Sequence, residues 1–135
     1  MNHATNLMLD AFVHHYVSPD GALLVEKITQ NWVDPVESVR MMITIFARYH
    51  SLFQEVFEEL MDIVNTLSTK DLQRNKGGIA ASLVFYAAVK KGRFAMSQKE
   101  IARIFDIDRM TIQNNRELLE GIIARSSVNG KTLNR

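Results

Sequence analysis

The sequence predicts an all-α protein, and three observations carry this prediction. Apolar residues recur at helical spacing along the chain, side-chain cap signals precede several of these segments, and period-2 alternation between hairpin turns is missing. With 135 residues, of which 47% are hydrophobic, the chain is long enough for one domain with a real core and short for two. We therefore expect a single helical domain.

Cap signals set the expected helix starts. Four segments begin with a side-chain acceptor at the N-cap, followed by a proline at the first helical position or by Glu or Gln three residues later. These signals are Ser18-Pro19, Asp34-Pro35 with Glu37, Ser51 with Gln54, and Ser97 with Glu100. The expected helices are 5–16, 19–31, 35–50, 52–67, 78–91, 98–105 and 109–124, with a short turn at 70–75.

Composition excludes several classes of protein. Without cysteine the chain can form neither a disulfide nor a thiolate zinc site, which fits a reducing compartment. No apolar run reaches the ~18 residues that a membrane span needs, and the first 15 residues lack the pattern of a signal peptide. We expect a soluble cytoplasmic protein that does not bind membranes.

Charge divides the chain into two unlike halves. Residues 1–69 hold 3 Lys and Arg against 9 Asp and Glu, a net charge of −6, whereas residues 70–135 hold 13 against 6, a net charge of +7. Such a division suggests one side that faces a polyanion and one that faces protein, although solvated helix faces also produce it. The position of the basic residues must decide between these interpretations.

Residues 97–116 have the pattern of a helix-turn-helix. Ile101 and Phe105 lie four residues apart on one face of a first short helix, and Ala102 is small where a second helix must approach. Asp106 occupies the turn position that normally needs a left-handed residue, usually Gly, which Asp tolerates better than most residues. Asp108 follows as the N-cap of the second helix, which buries Ile112 together with Ile107 of the turn.

The polar residues of the second helix are of types that can read DNA. Arg can bind guanine through two hydrogen bonds, Asn or Gln can bind adenine in the same way, and Met can contact a thymine methyl group. The expected base contacts are Arg109, Met110, Gln113 and Asn114. The expected phosphate contacts are Lys90, Lys91, Arg93, Gln98, Lys99 and Arg116. The alternative is a helical hairpin with an ordinary solvated face.

The segment upstream adds a family resemblance. Residues 77–88, GGIAASLVFYAA, form a helix whose small residues allow close packing on more than one side, so it belongs at the centre of a domain. Together with SQKEIA at 97–102 and TIQN at 111–114, it resembles the cyclin-fold repeat of archaeal transcription factor B and eukaryotic transcription factor IIB. The resemblance covers residues 77–119 and implies that Arg109, Met110, Gln113 and Asn114 read a promoter element.

The resemblance leaves clear departures. Those factors carry a cysteine-rich zinc ribbon and two cyclin repeats, whereas this chain has no cysteine and room for one repeat. We expect an N-terminal helical extension at 1–33, a cyclin-like domain at 34–125 and a flexible tail at 126–135. We expect this extension either to cover the core or to form the contact between two copies of the chain. The function indicated is a DNA-binding transcription regulator of an archaeon or its virus, associated with the nucleoid and able to dimerise across two half-sites.

The sequence is also compatible with two other functions. A cyclin-like interaction module would dock a basic partner, such as a polymerase or an initiation factor, on Glu55, Glu58, Glu59 and Asp62 without contacting DNA. An enzyme is the weakest interpretation, because no nucleophile, base or metal constellation stands out. The adjacent His14 and His15 diverge by about 100° on a helix instead of sharing a metal face. We therefore expect no catalytic residue, metal or cofactor.

Overall fold

The computed structural model describes residues 11–72, 76–115 and 118–124, and within these ranges the protein is all-α, as the sequence predicts. The helices are α1 (Val25–Asn31), α2 (Pro35–Tyr49), α3 (Gln54–Val64), a 3-10 helix (Thr69–Leu72), α4 (Lys76–Phe85), which continues as a π-helix (Tyr86–Lys90), α5 (Gln98–Ile104) and α6 (Arg109–Asn114). Residues 11–14 and 118–124 are also helical. No helix in these ranges has the length and apolarity needed to cross a membrane.

The long helix α2 begins as its cap signal predicts. The Asp34 carboxylate accepts a hydrogen bond from the Glu37 amide at 3.0 Å, and Pro35 occupies the first helical position, where its missing N–H costs nothing. The Glu37 carboxylate accepts from Arg40 Nε at 2.7 Å. The helix then buries an apolar stripe that includes Met42 and Phe46, so it packs against α1, α3 and α4.

The predicted helix start at Ser51 is wrong. Ser51 has a left-handed φ of 52° and closes the C-terminus of α2, because the Leu52 amide donates to the Ala47 carbonyl at 2.8 Å. Helix α3 begins only at Gln54, and its N-cap residue, Phe53, offers no side-chain acceptor. The Ser-x-x-Gln spacing that predicted an N-cap therefore lies at the end of a helix, because the chain must turn sharply between two packed helices.

The predicted helix start at Pro19 is also wrong. Ser18 to Gly21 form a tight turn in which the Gly21 amide donates to the Ser18 carbonyl at 2.9 Å, and Val17 and Leu23 form an antiparallel bridge across it. Gly21 has a φ of 89°, which a residue with a side chain rarely adopts. The sequence Pro-Asp-Gly is a strong turn signal that could have predicted this, and it outweighs the resemblance of Ser18 to an N-cap.

Helix α4 lies at the centre of the fold, as its small residues predict. Every residue from Gly77 to Val84 is buried, and the helix packs against α2, α5 and α6. The helical segment ends within one residue of the predicted position, but its last turn is the π-helix, which the sequence did not predict, with the Lys91 amide donating to the Tyr86 carbonyl at 3.0 Å. The wider turn leads into the loop that precedes α5.

One apolar core joins the N-terminal segment to the rest of the chain. Val13, Tyr16, Leu23 and Ile28 are buried in the same cluster as the inner faces of α2 and α4. The Leu23 amide also donates to the Ile104 carbonyl of α5 at 2.7 Å. In the predicted extension at 1–33, residues 13–28 thus contribute to the core, while residues 1–10 and the predicted tail at 126–135 lie outside the described residues.

Candidate nucleic-acid interface

Helices α5 and α6 are joined by a tight turn at the position that the sequence predicts. Ser97 caps α5 by accepting a hydrogen bond from the Glu100 amide at 3.1 Å. Asp106 ends the helix in the left-handed conformation, with a φ of 54°, and the Ile107 amide donates to the Ala102 carbonyl at 3.0 Å. The chain therefore passes from α5 to α6 through only four residues, 105–108.

The inner side of this helix pair is anchored in the core. Ile101, Ala102, Phe105 and Ile112 are buried, and Ile107 is half-buried against them. The Phe105 ring lies 5.6 Å from the Phe46 ring of α2, measured between centroids. Both helices also pack against α4. The orientation of the pair is thus determined by the central helices of the fold.

The left-handed turn residue allows a test of this geometry. We expect Asp106→Gly to be more stable than Asp106→Ala by about 1–2 kcal/mol, because a Cβ is penalised at positive φ. On the exposed face of α3 the order should reverse, with Glu58→Gly less stable than Glu58→Ala by about 1 kcal/mol. Urea unfolding of the four variants measures both differences. If Asp106→Ala is as stable as Asp106→Gly, the turn does not have this conformation.

The outer side of α6 presents three of the predicted base-contacting side chains together. Asp108 caps this helix by accepting from the Met110 amide at 3.1 Å. Met110, Gln113 and Asn114 are spaced three and four residues apart, which places them on one face, and all three are exposed, Met110 by 54%. Arg109 is the first residue of the helix, but its side chain lies outside the described part.

The structure describes the side chains of four of the six predicted phosphate contacts. Lys91 and Lys99 are exposed on the loop before α5 and on α5 itself, and Gln98 is half-buried at the first position of α5. The side chain of Lys90 and the whole of Arg116 fall outside the described residues. Lys91 and Lys99 thus remain as exposed cations beside the helix pair.

Arg93 is engaged elsewhere. One of its terminal nitrogens, Nη2, lies 3.4 Å from a Glu55 oxygen and 3.2 Å from a Glu59 oxygen, both on α3. The two carboxylates offset the charge of Arg93, and the pairing orients the Arg93 side chain towards the acidic helix α3. The sequence gives no sign of this contact, because the partners are more than 30 residues apart and no local pattern links them.

Arg103 connects α5 to the turn at Ser18–Gly21 by a hydrogen bond. Its guanidinium donates to the Glu100 carboxylate at 2.8 Å and to the Asp20 carbonyl at 2.9 Å. The hydrogen bond to Arg103 lowers the pKa of Glu100 and raises that of Arg103. The pKa of Asp20 is lowered first by the Ser18 hydroxyl and then by the Ala22 amide. Together with the Leu23–Ile104 hydrogen bond, these contacts position α5 from the N-terminal side.

His50 is the half-buried titratable group beside this network. Its ring lies 4.7 Å from the Phe46 ring, and burial lowers the pKa of His50, while nearby Glu100 raises it and Arg103 lowers it. Because the folded protein resists protonation of this ring, the unfolded chain binds the proton more readily. Stability contributed by the neutral ring is therefore present above the ordinary pKa of 6.5 and is lost as the pH falls below it.

This linkage predicts a change in the pH profile of unfolding. We expect the Tm of the native protein to fall as the pH decreases from 6.5 towards about 5, and the Tm of His50→Gln to fall less over the same range. Glu100 and Asp20 act in the same direction but at lower pH, because their ordinary pKa values are 4.5 and 3.8. Calorimetry at closely spaced pH values separates the two windows. If the Tm of the native protein and the Tm of His50→Gln fall in parallel, His50 is not responsible for the loss of stability between pH 6.5 and about 5.

Comparisons with known proteins provide no relative for this site. No family model, curated protein or solved structure matches the chain. The resemblance to the cyclin-fold repeat therefore stays a prediction from the sequence. In the described part of the chain, no three His, Asp or Glu side chains come together as metal ligands would.

Proposed function

We propose that this protein is a DNA-binding transcription regulator that reads duplex DNA with α5 and α6 acting as a helix-turn-helix. The observation that carries the proposal is the face of α6 formed by Met110, Gln113 and Asn114, which is exposed while Ile112 anchors the same helix in the core. Because the backbone of this helix is already ordered and anchored in the core, only the side chains must become ordered on binding, which favours specific contacts. The role needs no catalytic group or cofactor.

In this proposal the N-terminus of α6 enters the major groove. Gln113 and Asn114 would each bind an adenine edge, Met110 would contact a thymine methyl group, and Arg109 at the first helical position would bind guanine. Lys91 and Lys99, with Lys90 and Arg116, would bind phosphates on either side. Helix-turn-helix proteins often bind as dimers to half-sites about 34 Å apart, and a homodimer at the nucleoid is part of the proposal.

Two features of the chain support a nucleic acid as the ligand. The basic excess of +7 belongs to residues 70–135, the half that contains α5 and α6. Amide and thioether side chains form the exposed face, whereas a site for simple anions would need only cations. The resemblance of the sequence to a single cyclin repeat of transcription factor B also favours DNA binding.

Fluorescence polarisation with a random duplex over a salt series tests the proposal. We expect submicromolar binding at low salt that weakens steeply, with a log–log slope of about −3 to −4 if four cations contact phosphates. Lys91→Ala with Lys99→Ala should make the slope shallower by about 2. Lys70→Ala with Arg48→Ala removes the same charge from exposed positions outside the helix pair and should leave the slope unchanged.

The outcomes distinguish the competing functions. Absence of binding at low salt would overturn the DNA-binding proposal and favour an interaction module. Binding that responds equally to both pairs of substitutions would show that overall charge attracts DNA, without a surface centred on α5 and α6.

A further inference from the structure

A cleft beside the acidic helix lies on a surface that the DNA-binding proposal does not use. It has a volume of about 300 Å³ and lies between the α2–α3 connection and the loop that precedes α5. Leu52, Phe53 and Val56 form one wall, and Phe94 and Met96 form the other. Phe53 is 74% exposed, although it borders this apolar space. A cleft of this size accommodates one or two large side chains.

Two polar nitrogens in the walls have no hydrogen-bond partner among the described residues. These atoms are His50 Nε2 and Arg93 Nε, which are both buried, and both residues line the cleft. Buried polar groups are nearly always hydrogen-bonded, since an unpaired one loses its contact with water without compensation. Because this N–H of Arg93 is covered, it gains a hydrogen bond when peptide binding shifts the Arg93 side chain towards a main-chain carbonyl of the peptide.

Helix α3, which borders the cleft through Val56, is acidic. Glu55 and Glu59 pair with Arg93 of the cleft wall, and Glu58 and Asp62 are exposed on the same helix, so these five side chains, here called the acidic rim, have a net charge of −3. This surface repels DNA phosphates. It also disfavours a two-fold dimer built on the cleft, because such an interface places the same acidic rim on both sides.

We propose that this cleft binds a basic peptide segment of a partner protein, which inserts one large apolar side chain beside Phe53 and places its Lys or Arg residues against α3. The apolar walls provide the burial, the Arg93 N–H donates a hydrogen bond to the peptide main chain, and the rim selects positive charge. The inference does not depend on the DNA-binding proposal, since the two surfaces share no residue.

The experiment uses a synthetic peptide, Lys-Arg-Gly-Leu-Gly-Arg-Lys, labelled with fluorescein, and the 135-residue protein. We expect measurable binding at low salt and roughly tenfold weaker binding when the peptide leucine is replaced by alanine. Equal binding of the two peptides would overturn the proposal, because it would show attraction by charge alone. Nuclear magnetic resonance of the native protein should place the peptide-induced shifts at Phe53, Val56, Phe94 and Met96.

Variants test the walls and the rim separately. Ala95→Trp, from an exposed position on the cleft wall, should fill the space and weaken peptide binding about tenfold, while DNA binding is unchanged. Glu58→Lys with Asp62→Lys should also weaken it, whereas Glu26→Lys with Glu120→Lys, which makes the same charge change elsewhere, should not.

The native-protein spectra keep the proposal testable if Ala95→Trp fails to fold. Peptide-induced shifts confined to residues outside the cleft would overturn it. Shifts of the cleft residues that depend on protein concentration without peptide would also overturn it, because they would identify a second copy of the chain as the occupant.

Discussion

Replacing Gln113 and Asn114 together with alanine should remove most of the sequence preference of the protein for DNA. Each bidentate contact to an adenine is worth about 1–3 kcal/mol, so we expect the affinity for a preferred site to fall about a hundredfold or more. Both side chains are exposed, and neither carries charge, so the stability of the protein and the salt dependence of its non-specific binding should not change.

The measurement is selection of the preferred site from a random duplex library, followed by gel shift at one fixed salt concentration. Gln30→Ala, an exposed position on α1, makes the same chemical change away from the helix pair and serves as the control. Unchanged site preference in the double variant would rule out α6 as the reading helix. Loss of affinity for all sequences alike would mean that the two residues act on the DNA backbone.

Replacing Phe105 with alanine should cause the largest loss of stability among single substitutions at the helix pair. The ring is fully buried and packs against Phe46 of α2, so its removal leaves a cavity between α5 and the centre of the fold. Substitutions of this kind cost about 3–5 kcal/mol. A domain is typically stable by only about 5–15 kcal/mol, so the variant should be close to unfolding.

Urea denaturation followed by circular dichroism gives the loss directly. Phe53→Ala is the matched control, because the same substitution at a side chain that is 74% exposed should change the free energy of unfolding by less than about 0.5 kcal/mol. A loss below about 1 kcal/mol at Phe105 would contradict the packing of α5 against α2.

Local sequence signals predicted much of the candidate interface. Asp34 and Ser97 cap their helices as expected, Asp106 takes the left-handed conformation, and Asp108 caps α6. These features depend on residues within four positions of one another, so the physical cause is visible in a short window. The same reason explains why Met110, Gln113 and Asn114 were expected on one exposed face.

Similar local signals were misleading where two interpretations competed. Ser18-Pro19 resembled a helix start but belongs to a Pro-Asp-Gly turn, and Ser51 resembled an N-cap but ends the preceding helix. At Ser18 a competing local signal, the Pro-Asp-Gly turn, decided the conformation, whereas at Ser51 packing decided it, because the chain had to turn between α2 and α3. The widening of α4 into a π-helix likewise had no signal in the sequence.

By itself, the sequence determined the all-α class, the central place of the small-residue helix, and the turn between α5 and α6, since each follows from spacing, size or backbone preference. Only the tertiary structure decided which partners the charged residues contact. It placed Arg93 against Glu55 and Glu59, tied Arg103 to the Asp20 carbonyl, and formed the cleft between Phe53 and Phe94. These contacts join residues far apart in the chain, and their existence depends on how whole helices pack.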